Sequence, residues 1–189
     1  MIRSFTRFAL KLLGWKAIGT APVVPRFVII AAPHTSNWDF LYALLIAADI
    51  GMRIKWVGKK QLFRFPFGGI MRGLGGIGVD RSARHNYVES VAQLLSDSER
   101  LGLIIPAEGT RSKAERWKTG FYYVALKAQV PIVCGFLDYA KKEGGIGLMF
   151  VPSGNINDDV QKLRDFYTGI QGKYPEKTSP IDFGKDAEK

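Results

Sequence analysis

Short apolar runs alternate with amphipathic stretches along this chain, and that alternation restricts the fold more than any other feature. Runs at 27–32, 54–57, 101–105 and 130–136, a short one ending at Val79 and another at 147–151, are dominated by Val, Ile, Leu and Phe. Phe27 to Ala32 is apolar without a break, the mark of a strand covered on both faces. Between them lie helical patterns at 38–50, 86–98, 119–129 and 158–171, and a Gly- and Phe-rich stretch at 61–74 that Pro66 divides into two short helices. Spacings of three and four place Phe40, Leu41, Leu44, Leu45 and Ala48 on the inward face of the first, and Val88, Val91, Leu94 and Leu95 on that of the second. Strands alternating with helices predict an α/β fold: a single domain whose largely parallel, mixed sheet is flanked by helices. With 189 residues, 47% of them hydrophobic, the chain can build one sizeable core. The polar tail from Lys173 is expected to be poorly ordered at its end.

Residues 1–20 stand apart from the domain at 21–189. Ile2, Phe5, Phe8, Ala9, Leu12 and Trp15 share one face of a helix over 1–16, while Arg3, Arg7 and Lys11 recur on another, with no acid among them. A basic amphipathic helix ending near a Trp suits the plane of a membrane surface, although the same pattern also fits a helix packed on the domain. No apolar run approaches the ~20 residues needed to span a bilayer. Lys11 also interrupts the apolar core that a signal peptide requires.

The formal net charge is +10, and all of the excess precedes residue 141. Between Arg53 and Arg84, eight basic residues accompany one acid, Asp80. Such a surface calls for an anionic partner, whether nucleic acid, lipid headgroups or a phosphorylated substrate. One cysteine, Cys134, excludes an intramolecular disulfide and leaves no cysteine cluster for a metal, so a reducing, cytoplasmic setting is expected.

In a parallel α/β sheet, ligands gather outside the carboxyl ends of the strands. His34 to Asp39 follow the first apolar run, Gly58, Lys59 and Lys60 the second, Asp80 and Arg81 the third, and Pro106 to Ser112 the fourth. His34 and Asp39 are five residues apart, which on a straight helix or strand would separate them. A bend at Pro33, with Ser36 and Asn37 capping a helix that starts at Trp38, brings them together. A His leaving a strand and an Asp in a helix's first turn then form a general base and the carboxylate that orients it.

Four segments, in order, resemble the glycerolipid acyltransferases typified by 1-acylglycerol-3-phosphate acyltransferase: the His-x4-Asp spacing of His34 and Asp39, the blocks 58–62 and 78–81, Glu108-Gly109-Thr110-Arg111-Ser112, and Val130-Pro131-Ile132-Val133. The resemblance spans about 27–136, departing where Ala107 and Cys134 stand in place of the family's prolines. It implies acyl transfer from acyl-CoA or acyl-carrier protein to the hydroxyl of a lysophospholipid, foremost 1-acylglycerol 3-phosphate, with other lysolipids or glycerol 3-phosphate as alternatives. His34 and Asp39 would be catalytic, and Lys59, Arg81 and Arg111 would hold the acceptor's phosphate. Gly109 would let the backbone approach, Thr110 would offer a hydroxyl, and Glu108 would orient a cation or contact the glycerol. The alternative is a structural Glu108–Arg111 pair.

The resemblance requires no metal and no cofactor beyond the acyl donor, and it implies a peripheral protein on the cytoplasmic face of an anionic membrane. A phosphoester hydrolase lacks a metal cluster or nucleophile here. A nucleic-acid-binding module, suggested by charge alone, lacks every recognisable motif. Oligomeric state is not legible.

Overall fold

The computed structural model describes residues 2–79 and 84–184, with side chains for 3–79 and 87–184. Among the described residues seven strands form one mixed sheet: β1 (Lys16–Ile18), β2 (Arg26–Ala31), β3 (Ile54–Lys59), β4 (Gly76–Val79), β5 (Leu101–Pro106), β6 (Ile132–Asp138) and β7 (Glu143–Phe150), in the order β1-β7-β6-β2-β5-β3-β4. The five from β6 to β4 run parallel, and β7 returns antiparallel to β6 with β1 parallel to it at the edge. The carboxyl ends of β2, β3, β4, β5 and β6 therefore share one rim.

Period-two alternation divides the core between the two faces. Val28, Ile30, Ile132 and Cys134 face the helices α4 (Arg84–Asp97), α5 (Gly120–Ala128) and α6 (Ile156–Tyr167). Phe27, Ile29 and Val133 face the opposite side, where α2 (Trp38–Asp49) lies. That first face is packed by fully buried Val91, Leu95, Phe121, Tyr122 and Leu163.

Two expectations need correction. The N-terminal helix α1 is Ile2–Leu12 and stops short of Trp15, which is buried; residues 16–18 form the edge strand β1. Three residues are too few to carry a periodic signal, and Gly145 makes room for them, since a Cβ there would collide with the Ile18 backbone. On α2 the fully buried positions are Asp39, Ile46, Ala47 and Asp49, not the stripe of Phe40, Leu41, Leu44, Leu45 and Ala48. Phe40 and Leu44 instead line a cavity between α2 and the sheet, and Leu41 faces outward. The tail from Lys173 packs on the domain as far as residue 184, where Phe183 is buried and the Trp117 backbone N–H donates to Asp182 O at 2.9 Å, and the end expected to be poorly ordered lies outside the described residues.

Beyond α2, β3 leads through a 3-10 turn (Lys60–Phe63) to a short helix, α3 (Gly68–Gly73), before β4. Among the described residues no helix is long and apolar enough to cross a membrane.

Candidate active site

Ser36 and Asn37 lie between β2 and α2, and of the two expected caps only Ser36 gives the helix start a side-chain hydrogen bond. Asn37 makes no side-chain cap, and Ser36 Oγ accepts from Trp38 N at 3.2 Å. The turn is organised by Asp39, whose Oδ2 accepts from the backbone N–H groups of Thr35 and Ser36, each at 2.9 Å. The same oxygen meets His34 Nδ1 at 3.1 Å, and Oδ1 accepts from the Tyr139 hydroxyl at 2.7 Å. Four donors thus converge on one buried carboxylate. Burial pushes its pKa upward, but the hydrogen bonds from His34, Tyr139 and Ser36 outweigh it and hold Asp39 below its ordinary 3.8. An ionised Asp39 can only accept, so His34 carries a proton on Nδ1, and in the neutral imidazole Nε2 is then the nitrogen with the free lone pair.

Glu108 fixes the other side of this turn. It is buried, and its Oε1 accepts from the backbone N–H of His34 at 2.7 Å. Its Oε2 accepts from Ser179 N at 3.2 Å and from Ser179 Oγ at 2.6 Å. The expectation that Glu108 orients a cation or meets an acceptor is not what the geometry gives: the side chain does not line the cavity, and among the described residues no ion pair joins it to Arg111. It ties the histidine's backbone to the C-terminal segment instead. That segment continues the tie at Tyr174, whose N–H donates to Thr35 Oγ1 at 3.2 Å. Gly172 is packed so closely on Pro33 and Thr35 that a Cβ would fall 2.8 Å from the Thr35 hydroxyl.

The remaining expected residues meet in one place. A cavity of about 900 Å³ is lined at the rim by His34, Asp39, Lys59, Gly109, Thr110 and Arg111. Gly109 adopts φ +69°, a conformation that a side chain would strain, and this turns the loop after β5 over the rim. Away from the rim the walls are apolar: Ile29, Ile54, Ile104 and Ile146 from the sheet, and Phe40, Leu44 and Ile50 from α2. The cavity follows α2 from Asn37 to Ile50, a path of roughly 18–20 Å at 1.5 Å per residue. Arg81, with neighbouring Asp80, lies outside the described residues.

Two features escaped sequence reasoning. Tyr139 follows the carboxyl end of β6, on the same rim as the other strand ends, so the rule that found them applied to it too. Its hydroxyl is pushed upward in pKa by burial and by Asp39, and it stays protonated as a donor. The C-terminal tie had no signal, because its hydrogen bonds to Thr35 and Glu108 join positions 139 and 71 residues apart. Cys134 is buried in β6 with its thiol pushed by burial to about 12, which removes it as a nucleophile. Among the described residues no group of His, Cys, Asp and Glu could hold a metal ion.

The family model described as Acyltransferase matches residues 20–138. No curated protein matches the chain. Among solved structures, the crystal structure of the 1-acyl-sn-glycerophosphate (LPA) acyltransferase PlsC from Thermotoga maritima is similar, with a TM-score of 0.58 and 17% identity over 91% of this chain and 80% of that one. That likeness is one of fold.

Proposed function

The chain belongs to the acyltransferase family, and from that premise we propose that it transfers a fatty acyl group from acyl-CoA or acyl-carrier protein to the free hydroxyl of a lysophospholipid, foremost 1-acylglycerol 3-phosphate, yielding phosphatidic acid. The observation that carries this reading is a single cavity with a His–Asp pair and two cations at its rim and a long apolar wall behind them. An apolar channel suits an acyl chain, and rim cations suit a phosphate held at the water boundary.

His34 Nε2 takes the acceptor hydroxyl's proton as that oxygen attacks the thioester carbonyl. Asp39 steadies the imidazolium that results. Collapse of the tetrahedral adduct breaks the C–S bond, and the departing thiolate recovers the proton from His34. The acyl group passes directly to the acceptor, with no covalent enzyme intermediate. Arg111 and Lys59 hold the acceptor's phosphate.

The outer face of α1 supports work as a peripheral protein at a membrane surface, which the reading places on the cytoplasmic, anionic side. Phe5, Phe8 and Leu12 are exposed, while Thr6 and Leu10 are turned inward. The guanidiniums of Arg3 and Arg7 reach the end of α2, at Asp49 O (3.2 Å) and Asp49 Oδ1 (3.1 Å). A helix whose bulky apolar side chains face away from its own domain has lipid as its natural counterpart.

The test is to incubate purified protein with acyl-CoA, then acyl-carrier protein, against a panel of lysolipids and glycerol 3-phosphate, reading products by mass. Phosphatidic acid formed from 1-acylglycerol 3-phosphate is the expected result. Acylation of a different acceptor only would replace the substrate assignment, and hydrolysis without transfer would overturn the reading.

A further inference from the structure

The excursion from the end of β3 to the start of β4, residues 59–75, carries exposed apolar side chains, and α1 has no part in it. Phe65 is 97% exposed, Phe67 63% and Ile70 59%. These side chains stand on a fixed base rather than a loose one. Phe63 turns inward against Trp56, with ring centroids 5.7 Å apart. It lies on a surface paved by glycines: a Cβ at Gly76 or Gly78 would fall 2.7 or 2.9 Å from its ring. The Trp56 indole N–H donates to Leu74 O at 2.9 Å, tying the far end of the excursion to β3. With Phe63 so anchored, Phe65 and Phe67 project outward.

Two further observations identify what they meet. Lys59, Lys60, Arg64 and Arg72 are exposed on the same excursion, and no acid occurs from Ile50 to Val79. Bulky apolar tips beside exposed cations, in a segment without acids, match an anionic lipid surface, with the rings in the acyl region and the cations at the phosphates. A ring exposed to 97% stands on a convex prong, which a deformable bilayer accepts without a preformed groove. The excursion also walls the cavity, through Gln61, Leu62 and Met71.

We propose that residues 59–75 form a second membrane-inserting element, separate from α1, that sets the rim of the cavity directly onto an anionic bilayer so that a lipid acceptor enters it from the membrane. This deepens the lipid-acceptor reading, and the test below needs no turnover, so either can fail without the other.

Cys134 is wholly buried, so an environment-sensitive dye can be placed selectively on the introduced thiol of a Phe65→Cys variant. The full-length labelled protein is mixed with vesicles of phosphatidylcholine alone or with added phosphatidylglycerol. The expected result is a blue-shifted, brighter dye on the anionic vesicles, quenched by nitroxide-labelled acyl chains, while the same dye in an Asp165→Cys variant on α6 stays aqueous. A Phe65→Ser/Phe67→Ser variant with an unchanged circular dichroism spectrum should bind those vesicles about tenfold more weakly, since two apolar rings no longer leave water. Vesicle-bound protein whose Phe65→Cys dye remains aqueous would mean that α1 docks alone and would overturn the proposal. So would a dye protected equally without vesicles, which would indicate a second copy of the chain.

Discussion

Tyr139 donates its hydroxyl to Asp39 Oδ1 at 2.7 Å, the oxygen that His34 does not use. The two residues are a hundred positions apart and come from different strand ends. Tyr139 is itself held by Trp15 edge-on at 4.9 Å, and Trp15 stacks on Tyr42 of α2 at 4.2 Å. A Tyr139→Phe variant keeps this packing and removes only the hydrogen bond. Its kcat should fall by about tenfold, equivalent to ~1.4 kcal/mol of lost transition-state stabilisation. KM should be unchanged, and steady-state kinetics separates the two.

Replacing His34 with Ala should abolish turnover with no change in the circular dichroism spectrum. Asp39→Asn should cost about ten-thousandfold in kcat, because Asn can donate to His34 and favour the wrong tautomer. Asp39 is held below its ordinary 3.8, so it is ionised at every pH above that value. The wild-type pH–rate profile should therefore contain no break from Asp39 at or above 3.8. Its contribution to stability is full above 3.8 and is lost only as pH falls toward the lower folded-state value, which acid unfolding followed by fluorescence would read.

Arg111 projects from the loop that Gly109 turns over the rim. Arg111→Ala should raise KM for a phosphorylated acceptor by about 10- to 100-fold, the loss of a charge-assisted contact, and leave KM for the acyl donor little changed. Arg111→Lys should restore part of the affinity, because it supplies the charge without the bidentate fork. An equal rise in both KM values would contradict a phosphate role.

Glu108 joins His34 N to Ser179 across the interior. Glu108→Gln keeps the size, but its amide nitrogen cannot accept, so one side of the tie breaks. Each buried donor left unpaired costs about 1–3 kcal/mol, so a lower thermal midpoint is expected. The activity loss should appear in kcat, through a displaced His34, rather than in acceptor KM. A Ser179→Ala variant should show the same pattern more weakly.

The exposed face of α1 gives a separate prediction. Phe5→Ser/Phe8→Ser should reduce co-sedimentation with anionic vesicles by about tenfold and leave the unfolding midpoint nearly unchanged, since these side chains contribute no core contacts. A marked drop in stability would show that the face packs on protein instead.

Much of the architecture was readable because parallel strands are covered on both sides and so announce themselves as continuous apolar runs. The spans read for β2 and β5 differ from the observed strands by at most one residue at either end, and the rim they define brought His34, Asp39, Lys59 and Arg111 to one cavity. The errors have a common origin. Periodicity records that Phe40 and Leu44 are apolar, but an empty channel needs apolar walls as much as a packed core does. It likewise assigned Phe5, Phe8 and Leu12 to one stripe, without saying whether domain or solvent lies beyond it.

What the sequence determined by itself were the local terms: the alternation that makes an α/β sheet, the bend that lets a histidine reach an aspartate five residues on, and the cations after successive strands. The tertiary structure alone decided how that pair is held and what surrounds it. Tyr139 completes Asp39, and Glu108 with Ser179 fixes the backbone of His34. Space is left open between α2 and the sheet. These are contacts across long separations in the chain, set by the closing of the sheet and the return of the C-terminal segment, and no spacing of residues in a linear sequence encodes them.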